Sequence, residues 1–195
     1  MEEANKPDNI PAVFYSSETG EPFTNCKVCD KYLLDDLTEY FIEKSYRKYK
    51  GYKAEDVVFE FAICAKCHEE MSNQLSKESR AAMQKYMMER VDFEERAIKT
   101  FLNSATNPDW WKENCAVTGE PIADLEEYQV VGNFMGANNR AGALPMVVGG
   151  KAMDEMAELL SNETLDFLDG FTNTFLGPPP EFEDLLKPKR RPVLI

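Results

Sequence analysis

The sequence predicts an α+β chain built of two related hairpin-and-helix units, the first holding a metal ion and the second a degenerate copy without one. Three observations predict it. Cys26-Lys27-Val28-Cys29 and Cys64-Ala65-Lys66-Cys67 are thiol pairs at CxxC spacing, separated by 34 residues. Residues 63–71 line up with 148–156 at a constant offset of 85. Amphipathic helical patterns follow Ser76 and Ser161, each serine placed as an N-cap with a glutamate (Glu78, Glu163) in the first turn. The organisation expected is an N-terminal segment over 1–22, a four-cysteine zinc-binding unit with an amphipathic helix over 23–104, a degenerate repeat over 105–180 and a basic tail over 181–195.

The metal follows from the chemistry of the pairs. Two residues between cysteines let both thiolates reach one cation while backbone N–H groups of the turn point at the sulfurs. Two such knuckles supply the four soft ligands of a closed tetrahedral Zn²⁺ site, so Cys26, Cys29, Cys64 and Cys67 are expected to hold one structural zinc. The separation exceeds the roughly 15–20 residues of compact zinc motifs, so the insert must carry structure of its own. Tyr40-Phe41-Ile42 opens a β-prone stretch, Lys50-Gly51 marks a turn, and Val57, Phe59, Phe61 and Ile63 alternate along one strand face. From Cys67 to Leu75 the chain reads as helix, with Glu69 and Glu70 expected in the first turn against the helix dipole. A knuckle, a hairpin and a second knuckle at a helix start resemble the treble-clef zinc finger, over about residues 23–75. That resemblance implies the metal and the local topology; it names a broad fold group that hosts many functions and implies no activity.

Other uses of the thiols compete with zinc. Cys64-Ala65-Lys66-Cys67-His68 matches the CxxCH haem-attachment pattern, with Met71 within reach as an axial ligand, but leaves the first pair unexplained. A thiol-redox protein would use the CxxC pairs, yet no thioredoxin-like βαβ pattern accompanies them. An iron–sulfur cluster also takes four cysteines. Four thiolates leave no open position on a zinc ion, which argues against a catalytic metal. His68, the single histidine of the chain, is expected on the helix surface.

In the second unit, Asn25-Cys26-Lys27-Val28-Cys29 aligns with Asn114-Cys115-Ala116-Val117-Thr118, and Leu37-Thr38-Glu39-Tyr40 with Leu125-Glu126-Glu127-Tyr128. Cys115 therefore survives, while Thr118, Gly149 and Ala152 stand at the other three ligand places, where none can replace a thiolate. Cys115 is expected as a small buried hydrophobe.

The stretch after Ser76 carries Ala82, Met83, Tyr86, Met87, Ala97, Ile98, Phe101 and Leu102, read as the apolar face of one helix that packs against Leu165, Phe167, Leu168, Phe171 and Phe175. These helices are expected to hold the two units together. The methionines Met83, Met87 and Met88 are expected in the core rather than in a binding groove. Asn107-Pro108-Asp109 breaks the chain, and Trp110-Trp111 is expected to pack between units. Gly177-Pro178-Pro179-Pro180 ends the folded region. The tail Lys187-Pro188-Lys189-Arg190-Arg191-Pro192 reads as a solvated terminus, with a nuclear signal or a nucleic-acid arm as the functional alternatives.

Composition narrows the function classes. Twelve Phe, eight Tyr and two Trp in 195 residues argue for a packed core. The first residues lack the basic and apolar regions of a secretory signal, and no stretch approaches the roughly 20 apolar residues that span a bilayer, so a cytoplasmic protein with reduced thiols is expected. The net charge is −13, concentrated in residues 105–186. Such a body suits a protein partner better than a polyanion, because each phosphate contact needs a cation. Lys44-Ser45-Tyr46-Arg47-Lys48-Tyr49-Lys50-Gly51-Tyr52-Lys53 is the exception, with bases and aromatics interleaved as a nucleic-acid strand would need; against the global charge, a charged hairpin edge that discourages sheet pairing or a patch docked on the acidic second half is the expectation. With one histidine, no GxxxxGK[ST] and no GxGxxG, no catalytic constellation is found. The sequence thus predicts a non-enzymatic zinc-binding protein with a protein-interaction surface, the nucleic-acid-associated and thiol-redox readings being its alternatives.

Overall fold

A computed structural model describes residues 10–49, 55–140, 142–177 and 192–193. Five antiparallel strands form one sheet: β1 (Glu39–Lys48), β2 (Glu55–Cys64), β3 (Glu127–Met135), β4 (Asn138–Asn139) and β5 (Met146–Gly149). The order is β2-β1-β3, and β3 pairs along its other side with both β4 and β5. The sequence pattern assigns the join between the two halves to helices. Instead β1 pairs with β3 from Glu39↔Met135 to Arg47↔Glu127, because a central strand must satisfy the backbone groups on both of its edges.

Directly opposed residues of antiparallel strands share a face. Tyr40, Ile42, Lys44 and Tyr46 therefore share one face with Phe134, Gly132, Val130 and Tyr128. The N-terminal segment covers that face: Phe14, fully buried, packs edge-on to Phe134 at 5.1 Å and stacks on Trp111 at 5.6 Å. The Lys44 ammonium donates to the Tyr15 carbonyl and the Tyr46 hydroxyl to that of Val13. On the other face Phe171 meets Phe61 at 5.8 Å, and His68 stacks on Phe41 at 4.4 Å. One hydrophobic core runs from Ile10 to Val193 and draws on both halves of the chain.

Strand alternation holds for Phe59, Phe61 and Ile63, all buried. It fails for Val57. The register passes from Ser45↔Phe59 to Tyr46↔Val57, so Val58 is the extra residue of a bulge, which moves Val57 to the face opposite Phe59. The expected Lys50-Gly51 turn lies outside the described residues.

Helix α1 (Ala65–Gln74) starts directly on Cys64, two residues earlier than expected, so Glu69 and Glu70 fall beyond its first turn. Its Cys67 and Met71, one turn apart, point inward. Helix α2 (Lys77–Arg90) is capped by Ser76 and α5 (Asn162–Phe171) by Ser161, as expected. The caps also bind each other: the Ser161 N–H donates to Ser79 Oγ at 2.9 Å and the Ser76 N–H to Thr164 Oγ1 at 3.0 Å. Helix α4 (Gly150–Ala157) buries Ala152, Met153 and Met156.

The single helix expected after Ser76 is two. Val91 is extended and buried, and Asp92 caps a separate α3 (Phe93–Asn103) by accepting from the Glu95 N–H at 2.8 Å. A competing N-cap ends one helix and begins another even though the apolar spacing continues. The consequence is a correction to the packing: α3 buries none of its residues, and Ile98, Phe101 and Leu102 are 53, 75 and 66% exposed. The methionine stripe divides likewise, Met87 entering the core while Met88 faces solvent. Trp111 is buried and stacks on Phe14 of the N-terminal segment.

Gly132, opposite Ile42, is where aromatic rings close in. A Cβ there would lie 2.7 Å from the Phe134 ring and 2.8 Å from that of Phe14. Gly132→Ala is expected to destabilise the fold by about 1–3 kcal/mol through overpacking. The readout is the chemical denaturation midpoint; an unchanged midpoint would show that these rings can move aside.

Candidate metal centre

The first thiol pair sits on a tight turn. The Cys26 N–H donates to Lys31 O at 2.8 Å and the Asp30 N–H to Cys26 O at 2.9 Å. Asp30 takes a left-handed φ of 59°, a conformation that Asp tolerates. The Lys27 N–H donates to Ala62 O at 2.8 Å, which fastens the turn to β2 two residues before Cys64. Cys64 ends β2, and Cys67 lies in the first turn of α1. Two elements distant in sequence thus deliver one pair each to the same point.

All four predicted ligands meet there. The sulfurs of Cys26, Cys29, Cys64 and Cys67 lie within 4.8 Å of one another, and those of Cys29 and Cys64 are 3.8 Å apart. Four sulfurs at about 2.3 Å from a tetrahedral zinc would be about 3.8 Å apart, whereas a disulfide requires about 2.05 Å; all five cysteines are free thiols. Cys26, Cys64 and Cys67 are buried and Cys29 is exposed. Burial pushes the thiols of Cys64 and Cys67 above their ordinary value, and repulsion from Cys26 adds to it. Burial acts on Cys26 in the same direction, but N–H groups of Cys64, Cys29 and Val28 outweigh it and hold that thiol low. A buried cluster of mutually repelling thiolates is what a divalent cation neutralises, and the donor set fits a tetrahedral, thiophilic metal ion. Both thiols of the CxxCH segment take part in this cluster. His68 is half-buried against Phe41 rather than on the surface, and burial lowers its pKa.

Cys115 occupies a turn of the same kind. Its N–H donates to Glu120 O at 2.8 Å, the Gly119 N–H returns to Cys115 O at 3.0 Å, and the Ala116 N–H reaches Val147 O on β5 at 2.7 Å. The Cys115 sulfur accepts from Thr118 N–H and Gly149 N–H at 3.4 and 3.2 Å. Thr118, Gly149 and Ala152 offer no thiolate, and a Cβ at Gly149 would lie 3.0 Å from Leu125, which fills the space a ligand would need. Cys115 is 2% exposed, in keeping with a small buried hydrophobe.

A third turn escaped the sequence reading. The Ser16 N–H donates to Glu21 O at 2.9 Å and the Gly20 N–H to Ser16 O at 2.8 Å, with Tyr15 bridged to Pro22. The signal lay in the repeated Thr-Gly-Glu-Pro of residues 19–22 and 118–121. Gly20 and Gly119 have φ of 70° and 73°, the left-handed conformation that such a turn demands and glycine supplies. This turn is anchored by Glu60, which accepts from Ser16 and Ser17 and pairs with Lys44 at 2.8 Å.

The basic-aromatic stretch is turned inward. Lys44 is 3% exposed on Glu60, Arg47 pairs with Glu127 at 2.9 Å, and Lys48 donates to Ile122 O while its ammonium lies over the Tyr128 ring. Tyr46 is buried against Tyr128. These side chains are taken up by the sheet and by the second half of the chain; residues 50–53 lie outside the described residues. So does the basic stretch 187–191, but Pro192 and Val193 are buried rather than solvated, and the Val193 N–H donates to Glu43 at 2.7 Å. Among the described residues no helix is long and apolar enough to cross a membrane. No family model, no curated protein and no solved structure matches this chain.

Proposed function

We propose that this chain is a non-enzymatic zinc-binding protein whose four-cysteine site is structural and fixes a surface for a partner protein. The observation that carries the proposal is the convergence of four thiols from a turn and a strand–helix junction on one point. Four thiolates complete a tetrahedron, so the ion's work is to tie the 26–29 turn to the β2–α1 corner. The exposed apolar side chains of α3 supply surface with which a partner can pack. Free cysteines suit a reducing compartment such as the cytoplasm.

Within this reading the first unit is a treble clef and the second its degenerate copy. Two parallels support the duplication. Tyr40↔Cys64 through Glu43↔Phe61 in the first hairpin recur as Tyr128↔Gly149 through Val131↔Met146, each residue matched to its aligned counterpart. The N–H of Cys64 on the Cys26 sulfur recurs as that of Gly149 on Cys115. Cys115→Ala is accordingly expected to leave one zinc per chain by mass-spectrometric metal analysis, while Cys67→Ala loses it. Metal lost from the Cys115 variant would place the site elsewhere.

The alternatives have less support. A redox thiol must be both accessible and low in pKa, whereas Cys26, held below the ordinary value, is 2% exposed. Nucleic-acid binding through residues 44–48 would need bases now paired inside the fold. The partner reading is tested by cross-linking of the zinc-loaded chain in its own lysate; recovery of RNA or DNA alone, released by salt, would replace it with the nucleic-acid reading.

A further inference from the structure

Three of the four clustered cysteines, Cys26, Cys64 and Cys67, are at most 4% exposed, whereas Cys29 is exposed. Cys115, the fifth, is buried in its own turn. Cys29 is thus the edge at which a small solute reaches the cluster. Coordination deprotonates a thiol outright, so in the zinc-loaded chain Cys29 is a thiolate that solvent can meet. Exposure and thiolate character together select the cysteine that an oxidant attacks first. Burial shields the other three ligands.

The first product of such an attack has a partner within reach. A sulfenic acid condenses with a neighbouring thiol to a disulfide, and the Cys64 sulfur lies 3.8 Å from that of Cys29. A disulfide brings its sulfurs to about 2.05 Å, so a short side-chain movement joins these two. Closure on Cys26 would instead draw on a sulfur that already accepts the Cys64 N–H at 3.4 Å. Cys64 stands at the β2–α1 corner, so its bond to Cys29 ties the same two elements that the ion ties.

We propose that Cys29 is the site at which hydrogen peroxide oxidises this protein, that Cys64 closes on it as a disulfide, and that the zinc is thereby released. The proposal rests on the structural-zinc reading above and adds a modification site to it. In the first step the Cys29 thiolate attacks one peroxide oxygen: the S–O bond forms, the O–O bond breaks, and the leaving hydroxide takes up a proton as water. In the second the Cys64 thiolate attacks the Cys29 sulfur: the S–S bond forms, the S–O bond breaks, and a second hydroxide leaves as water on taking a proton. Two electrons pass from the two sulfurs to one peroxide. Two ligands are then withdrawn, and Cys26 and Cys67 alone do not complete a tetrahedral site. The new bond keeps the 26–29 turn on the β2–α1 corner, so the fold outlasts the ion.

The test adds hydrogen peroxide to the full zinc-loaded chain and follows metal release with a metallochromic dye. Parallel samples are mapped for dimedone adducts and for disulfides by peptide mass spectrometry. Expected are one zinc released per chain, sulfenic acid trapped at Cys29, a Cys29–Cys64 disulfide, and rebinding of zinc after reduction by a dithiol. Three cysteines and a histidine are a common structural zinc set, so Cys29→His keeps four ligands. That variant should release its zinc at least about tenfold more slowly, having no thiol at the exposed edge. Should it fail to hold zinc, the adduct and disulfide maps of the parent decide alone. Cys115→Ala should behave as the parent does. Adducts first at another cysteine, a disulfide that omits Cys29 or Cys64, or equally fast release from zinc-loaded Cys29→His would each overturn the proposal. So would zinc retained at peroxide levels that fully oxidise free glutathione. All four outcomes leave the structural-zinc reading standing. A purified chain with no zinc to release overturns both, and metal analysis before oxidation separates the two failures.

Discussion

Stripping the metal from this protein is expected to lower its melting temperature by at least about 10–20 °C, at about 2–4 °C per kcal/mol for a chain of this length. The four cysteines form no disulfide and three of them are buried, where burial disfavours the thiolate; a bound cation compensates those charges and ties this corner of the core together, and chelation removes that tie. Structural zinc contributes about 10–16 kcal/mol in isolated finger peptides. Here the Cys26 turn is also held by hydrogen bonds to Lys31 and Ala62, and the sheet keeps its own core, so a loss nearer to about 5 kcal/mol is the expectation. Calorimetry before and after chelation, with metal content measured on the same samples, decides it. Cys67→Ala should reproduce the chelated state, since it withdraws a buried ligand from the start of α1. If metal leaves and the transition does not move, the ion is not structural and the function proposed above fails with it.

The second large effect concerns Glu43, in the middle of β1. Its register partners are Phe61 and Val131, it is 4% exposed, and among the described contacts its carboxylate accepts from the Val193 N–H. Burial raises its pKa to about 8, against which the Val193 hydrogen bond acts weakly. A folded pKa above the unfolded value means that the folded protein binds the proton more tightly. The stabilisation is therefore complete below the unfolded value of about 4.5 and is lost as pH rises toward 8. The loss between about pH 6 and 9 is on the order of 3 kcal/mol, at about 1.4 kcal/mol per unit of pKa difference. Glu43→Gln keeps the acceptor for Val193 and removes the titration. The variant should match the parent near pH 5 and exceed it at pH 9 in urea midpoints. A parent curve flat from pH 6 to 9 would show that Glu43 is not protonated in the folded protein. His68 acts with the opposite sign: burial lowers its pKa, so its contribution is present above about pH 6.5 and is lost on acidification through its folded value.

The ligand set was legible because its rules are short. Thiol spacing within each pair is set by the reach of a turn around one ion, and the first turn is closed by local hydrogen bonds. Ser76 and Ser161 were legible for the same reason, since a cap bonds an N–H three residues on. Val57 was misplaced because a bulge is a mismatch between two strands, and one strand's pattern carries no record of its partner's register. Docking of the charged stretch 44–48 on the acidic second half was legible from charge, but its particular partners, Glu60 and Glu127, were not, because only strand pairing brings them to it. The apolar spacing of α3 looked like a core face because periodicity shows which residues share a side of a helix, not whether anything covers that side.

By itself, then, the sequence determined a four-thiol cluster at metal-binding distance, its β–α corner, the helix caps and the buried fate of Cys115, all governed by contacts a few residues long or by donor chemistry. Only the tertiary structure decided that β1 and β3 join the halves, that Glu43 and Val193 meet in the interior, and that the apolar side chains of α3 stay bare. Those outcomes depend on which distant strand edges and faces find one another, a competition among long-range contacts that no local pattern encodes.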